Sequence, residues 1–266
     1  MTTLVTRLMS LQLPRTALPQ TVLIAAWFLS MVSLPIALWT VGEQAIVYGT
    51  IASVLLLVSA TCVIIAQAWG WRRALLSAVI VALLGWSIEF VGSKTGFPFG
   101  RYSYTSALQP QLLGVPLLIP LAWLMMMPPA WAVAQCLIGS LETPPRRAAF
   151  VGLSALAFTA WDLYLDPQMV NWGFWVWHEP GALHYFGIPL VNYMGWILAA
   201  LLMTAAVRPP RLPRRAIVPL LAIYGITIFL QTIGVGLLWG MPGPALCGFA
   251  AMGTLLLLTV RRLRAS

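Results

Sequence analysis

Charge is scarce in this chain. Of its 266 residues 8% are Asp, Glu, Lys or Arg, and 61% are hydrophobic. A soluble domain carries roughly a quarter charged residues. This chain has too little polar surface to cover itself in water, which excludes a water-soluble domain and implies lipid as the solvent. Cysteine is nearly as rare. Cys62, Cys136 and Cys247 each stand alone in an apolar segment, which excludes a disulfide framework or a zinc spacing and reads as small buried hydrophobes. Also missing are a glycine-rich phosphate loop, a dinucleotide fingerprint, an Asp-rich diphosphate motif and a Gly-x-Ser-x-Gly elbow. His178-Glu179 with His184 matches no metal-ligand spacing. Neither a metal nor a cofactor is therefore expected.

What the chain has instead is apolar runs of about 20 residues, the length that crosses a bilayer as helix. They fall near 20–41, 45–69, 74–92, 112–139, 148–165, 186–207, 216–239 and 244–260. The fold class expected is all-α: a polytopic membrane helix bundle of about eight transmembrane helices in a single membrane domain, 1–266. The net charge of +9 follows the same division. Arg7, Arg15, Arg72, Arg73, Arg146, Arg147, Arg208, Arg211, Arg214, Arg215, Arg261, Arg262 and Arg264 occupy alternate connections, and only Lys94 and Arg101 fall on the other side. Cytoplasmic loops hold the Lys/Arg excess in membrane proteins. The reading is a multi-pass cell-membrane protein with both termini cytoplasmic and its polar chemistry at the extracytoplasmic side. A nucleic-acid patch has no reason to alternate, so nucleic acid is not an expected partner and membrane lipid is. Thr21–Trp39 is longer than a signal-peptide core and no small-residue cleavage site follows, so it is read as the first span.

Two stretches match at a constant offset of 73 residues. Gly114-Val-Pro-Leu reappears as Gly187-Ile-Pro-Leu, Trp123 as Trp196, and Glu89 falls on Asp162. Phe99-Gly100-Arg101-Tyr102-Ser103-Tyr104 lines up with Trp172-Gly173-Phe174-Trp175-Val176-Trp177. Each unit, about 74–139 and 148–207, reads as a helix, an aromatic loop, and a Gly-x-Pro helix start with Pro116 or Pro189 in the first turn. Both units run the same way, so this is a parallel internal repeat. A pseudo-two-fold axis along the membrane normal, with a site at the repeat interface, is the expected relation.

Six acids carry the chemistry available. Glu43 and Glu142 are loop charges. Glu89 lies near the outer end of the third span, where an ionisable group is costly and points to function; pairing with Lys94 or Arg101 is the structural alternative. Asp162 and Asp166 are four apart and share one helix face, with Pro167 expected to end the helix. Carboxyls stacked together resist simultaneous ionisation, and an acid that keeps its proton is what protonation of a weak base requires. Tyr102, Tyr104, Trp172, Trp175, Trp177, His178, His184 and Tyr185 crowd the outer loops, as interfacial anchors or as walls for a flat apolar ligand or a cation. Asn192, one turn into the sixth span, is placed to orient water or an acid, or to bond between helices.

Glu89-x-x-Gly92-x-x-x-Gly96-x-Pro98-Phe99-Gly100-x-Tyr102-x-Tyr104, followed by Gly114-Val-Pro-Leu, resembles the integral-membrane carotenoid biosynthesis proteins typified by the carotenoid 1,2-hydratases. Asp162, Leu165-Asp166-Pro167, Trp175-x-Trp177 and Gly187-Ile-Pro-Leu-x-Asn192 belong to the same resemblance, which runs from Glu89 to Trp196. It implies a hydro-lyase that adds water to the terminal C1=C2 alkene of an acyclic carotenoid of the lycopene, γ-carotene or bisanhydrobacterioruberin type. An acid protonates the less substituted carbon, a tertiary cation forms, and water captures it. Glu89 or Asp162 is the expected acid and Asp166 the water-side base. Lys94, Arg101, Tyr102, Tyr104, Trp175, Trp177, His184, Tyr185 and Asn192 are the expected substrate-binding set. Other carotenoid-pathway enzymes are conceivable partners. The competing readings are another carotenoid end-group enzyme such as a cyclase, a small-solute transporter, and a membrane scaffold.

Overall fold

A computed structural model describes residues 18–179 and 181–265; Arg7 and Arg15 lie outside the described residues. Among the described residues eight helices are long and apolar enough to cross a membrane, so the chain is a multi-pass membrane protein. They are α1 (Leu18–Val41), α2 (Gln44–Trp69), α3 (Trp71–Thr95), α4 (Leu118–Ile138), α5 (Pro144–Asn171), α6 (Leu190–Val207), α7 (Arg214–Ile233) and α8 (Pro242–Ala265). A π-helical turn over Gly234–Leu238 extends α7. Long connections gather at one end of the bundle, whereas the arginine-bearing turns lie at the other.

At the centre is α4, where every residue from Trp123 to Cys136 is buried. A helix that is apolar all round belongs inside the bundle, and α4 packs on α2, α3, α5, α7 and α8. Because lipid tails are as apolar as leucine, helix packing in a membrane depends on close contact and on interhelical hydrogen bonds. The Trp131 indole donates to Thr204 Oγ1 at 3.0 Å and the Tyr224 hydroxyl to the Ala157 carbonyl at 3.0 Å. The Gln135 side chain clips the connection before α7, donating to the Leu212 carbonyl at 2.9 Å and accepting from its N–H at 2.7 Å.

The 73-residue offset also relates elements of secondary structure. Helices α3 and α5 start 73 residues apart, and the same offset relates the short hairpin of β2 (Gln111–Leu112) and β3 (Val115–Pro116) to that of β5 (His184–Tyr185) and β6 (Ile188–Pro189). Both hairpins turn through a residue pair of positive φ, Leu113-Gly114 and Phe186-Gly187, the turn that suits the twist of a tight hairpin. Helices α3, α4, α5 and α6 pack in a ring, each on the next and α6 on α3. Across it Trp123 stacks on its own repeat equivalent, Trp196, at 4.6 Å. Strand β1 (Tyr102–Tyr104) pairs antiparallel with β4 (Trp175–Trp177), Ser103 opposite Val176, so that equivalent strands of the two units meet about a local two-fold.

Three local expectations are corrected. Pro116 and Pro189 sit in hairpin strands and not in helical first turns, so α4 begins at Leu118 and α6 at Leu190. Pro167 does not end α5, which continues to Asn171. A proline inside a helix strips the carbonyl four residues back of its donor, and here the Tyr185 hydroxyl replaces it, donating to the Leu163 carbonyl at 3.1 Å. Cys136 is buried as expected, but Cys62 is half-buried and Cys247 exposed.

Candidate active site

The loop between α3 and α4 is pinned onto the bundle by Phe99. Its ring lies between Gly92 of α3 and Gly195 of α6, so close that a Cβ on either glycine would meet it at 2.6 Å. Only glycine allows this approach. Anchored there, the next turn of chain points Tyr102 and Tyr104 back at α3.

Their target is Glu89, which is 5% exposed. Its Oε2 accepts from the Tyr102 hydroxyl at 2.5 Å and the Tyr104 hydroxyl at 2.8 Å, while Oε1 accepts from the Trp123 indole at 3.1 Å. Burial, and then the negative charge of Glu89 beside them, push both phenols well above the usual range, which keeps them donors. Neither Lys94 nor Arg101 takes part. Lys94 is exposed with its ammonium 5.9 Å from the Phe90 ring, and Arg101 pairs at 3.3 Å with Glu179 in solvent.

The second unit is built differently. Asp166 Oδ1 accepts from the Trp175 indole at 3.0 Å, and Oδ2 from the Asn192 amide. The same amide nitrogen donates to Asp162 Oδ2 at 3.1 Å. Both carboxyls thus meet on one amide nitrogen. Asp162 is fully buried, and its Oδ1 has no hydrogen-bond donor among the described residues. No basic side chain among the described residues pairs with Glu89, Asp162 or Asp166.

These groups surround a cavity of about 940 Å³, open mouth included. Glu89, Tyr102, Tyr104, Asp166, Trp175, Trp177 and Asn192 line it; Asp162 stands one turn behind. Of the residues expected at the site, Lys94, Arg101, His184 and Tyr185 are not in its lining. His184 is exposed with Nδ1 accepting the Gly187 N–H at 3.4 Å, and His178 meets Ser103 Oγ at 2.9 Å, so the two imidazoles serve loop contacts. The sequence reading did not assign site roles to Trp123, Trp161 and Trp196, whose indoles form the cavity wall around Phe158, with Trp123 at 4.9 Å and Trp161 at 5.8 Å from its ring. For Trp123 and Trp196 a signal existed, since they match at the repeat offset. Trp161 had none beyond its place beside Asp162.

Taken together, the site is an apolar, aromatic chamber with three carboxyls at one end. Such a chamber suits an apolar molecule that needs a proton and passes through a cation, because indole faces attract positive charge. Comparison with known proteins agrees in kind. The bisanhydrobacterioruberin hydratase of Haloarcula japonica is 36% identical over 133 residues, which are 48% of this chain and 42% of that protein. The match therefore spans less than half of the relative's length. No solved structure matches the chain. The model of the carotenoid biosynthesis protein family matches residues 42–255, and the chain belongs to that family.

Proposed function

We propose that this protein is a carotenoid hydratase, a hydro-lyase that adds water across the terminal C1=C2 alkene of an acyclic carotenoid. The observation that carries the reading is that Glu89 and Asp166 line an aromatic cavity, with Asp162 one turn behind and no basic side chain in the lining among the described residues. Three uncompensated anions in an apolar site are prohibitive, so protons must be held there, and a held proton is what an alkene needs.

The contacts support a division of labour. Every polar contact of the Glu89 carboxyl is with a donor, the arrangement of an acceptor. Both oxygens of Asp166 also accept, from Trp175 and Asn192, so the proton of the aspartate pair is placed on the oxygen of Asp162 that lacks a donor and reaches the cavity through Asp166. Asp166, which faces the cavity, then delivers a proton to C2, and the alkene π pair forms the new C–H bond. A tertiary cation is left at C1 beside the faces of Trp123, Trp161 and Trp196. Water adds at C1 and its surplus proton passes to Glu89; return of that proton to the aspartate pair resets the site. This makes Asp166 the donor in place of the water-side base suggested by its sequence position. The Haloarcula relative's name supports hydration over cyclisation. Expression in cells that accumulate an acyclic carotenoid tests the reading: pigments should gain the mass of one water per reacted end. An unchanged pigment, or a cyclic isomer of equal mass, would sink it.

We also read the arginine-rich end as cytoplasmic, with the cavity towards the extracytoplasmic side. A cysteine placed at Ser106 or Ala182 should be labelled by an impermeant reagent in intact cells. Labelling only after permeabilisation would reverse the orientation.

A further inference from the structure

We propose that the polyene shaft of the substrate lies in an apolar channel that leaves the carboxyl cluster and descends between α1, α2, α4 and α7; this rests on the hydratase reading above. Beneath the main cavity lies a smaller one, about 310 Å³ with its open space included, whose deeper walls are Trp27, Leu57, Met126, Thr227 and Leu230. Met31, Ser53, Met125, Trp161 and Gln231 line both cavities, so the two adjoin at these residues, which form the throat of the proposed channel. Glu89 is six residues from the loop end of α3, whereas Leu57 is thirteen from the loop end of α2. At about 1.5 Å per residue these are depths of roughly 9 and 20 Å, so the second cavity carries the path towards the middle of the bilayer.

The walls suit a long apolar rod. Two methionines, Met31 and Met125, flank the throat with Met126 just below, and their unbranched thioethers adapt to whatever is inserted. The hydroxyl of Ser53 is already engaged, accepting from the Trp27 indole at 3.1 Å and meeting the Met31 sulfur at 3.0 Å, so it leaves no open polar demand. A terminal alkene presented to Asp166 must leave the rest of its chain somewhere. Descent through this throat keeps that chain in hydrocarbon instead of in water at the loop-rich end. Part of the wall belongs to α1, which precedes the family match beginning at residue 42.

Ser53→Phe puts a ring into the throat, and Thr227→Phe puts one into the deeper cavity from a different helix. Two quantities are measured on protein purified from carotenoid-making cells: polyene retained per folded protein, and turnover on the full-length carotenoid against a monoterpene alkene carrying only the reacting terminus. Each variant should lose at least about tenfold in retained polyene and full-length turnover, while Thr227→Phe, outside the main cavity, keeps monoterpene turnover within about twofold. If Ser53→Phe fails to fold, Thr227→Phe carries the test. Unchanged polyene retention, or an equal loss on both substrates in Thr227→Phe, overturns the channel. Retention is read without turnover, so a wild type that holds polyene but hydrates nothing, with variants that hold none, sinks the hydratase reading and keeps the channel.

Discussion

Glu89 and Asp162 lie 73 residues apart at matched positions of two similar stretches, yet their surroundings differ. Glu89 receives two phenols from Tyr102 and Tyr104, whereas the matched positions of the second unit are Trp175 and Trp177, and Trp175 bonds to Asp166 instead. The counterpart of Asp166 in the first unit is Ser93, and that of Asn192 is Ile119. One copy thus surrounds its carboxyl with donors, and the other sets two carboxyls side by side on a single amide. The scaffold is symmetric and the chemistry is not. Two-fold pairing brings two acids to one chamber, and divergence lets them differ in role.

The largest effect should come from removing the acids. Glu89→Gln, Asp162→Asn and Asp166→Asn should each lower turnover by at least about 100-fold, the range of lost general acid–base catalysis. Groups that act as one unit are non-additive, so Glu89→Gln with Asp166→Asn should be scarcely worse than either alone. Product per folded protein measures this, and full activity in all three singles would make the carboxyls structural.

Next comes the contrast between the phenols and the indole. Replacing Tyr102 and Tyr104 together by Phe removes two hydrogen bonds to one carboxyl, each worth about 1.5–3 kcal/mol when the acceptor is charged. Trp175→Phe removes one bond from Asp166. The double variant should therefore lose more than tenfold over Trp175→Phe. The reverse order would mean that Glu89 is not the acceptor. Smallest is Arg101→Gln, which breaks an ion pair whose side chains are 71% and 66% exposed. Such pairs contribute little, so activity and thermal stability should hardly move; a large loss would bring Arg101 back into the site.

The helices were legible because they rest on a one-dimensional signal: bilayer thickness sets the length of an apolar run. What could not be read depends on contacts between the units. Pro167 looks like a helix stop until Tyr185, from the following loop, bonds the carbonyl it frees. Gly114-x-Pro116 looks like a helix start until Pro116 pairs with Gln111. Lys94, Arg101, His184 and Tyr185 are near the acids along the chain but outside the cavity lining, since a loop's sequence does not say which side faces inward. The carboxyls themselves were legible by cost alone, as ionisable groups within membrane helices.

Whether the divided carboxyl cluster hydrates an alkene is tested most directly in labelled water. Purified protein is incubated with an acyclic carotenoid in deuterated, heavy-oxygen water, and the product is analysed by mass and fragmentation. Hydration by this cluster predicts one deuterium at C2 and one heavy oxygen on the tertiary alcohol at C1, both absent with Asp166→Asn. Deuterium gained without oxygen, or labelled alcohol undiminished in Asp166→Asn, would contradict it.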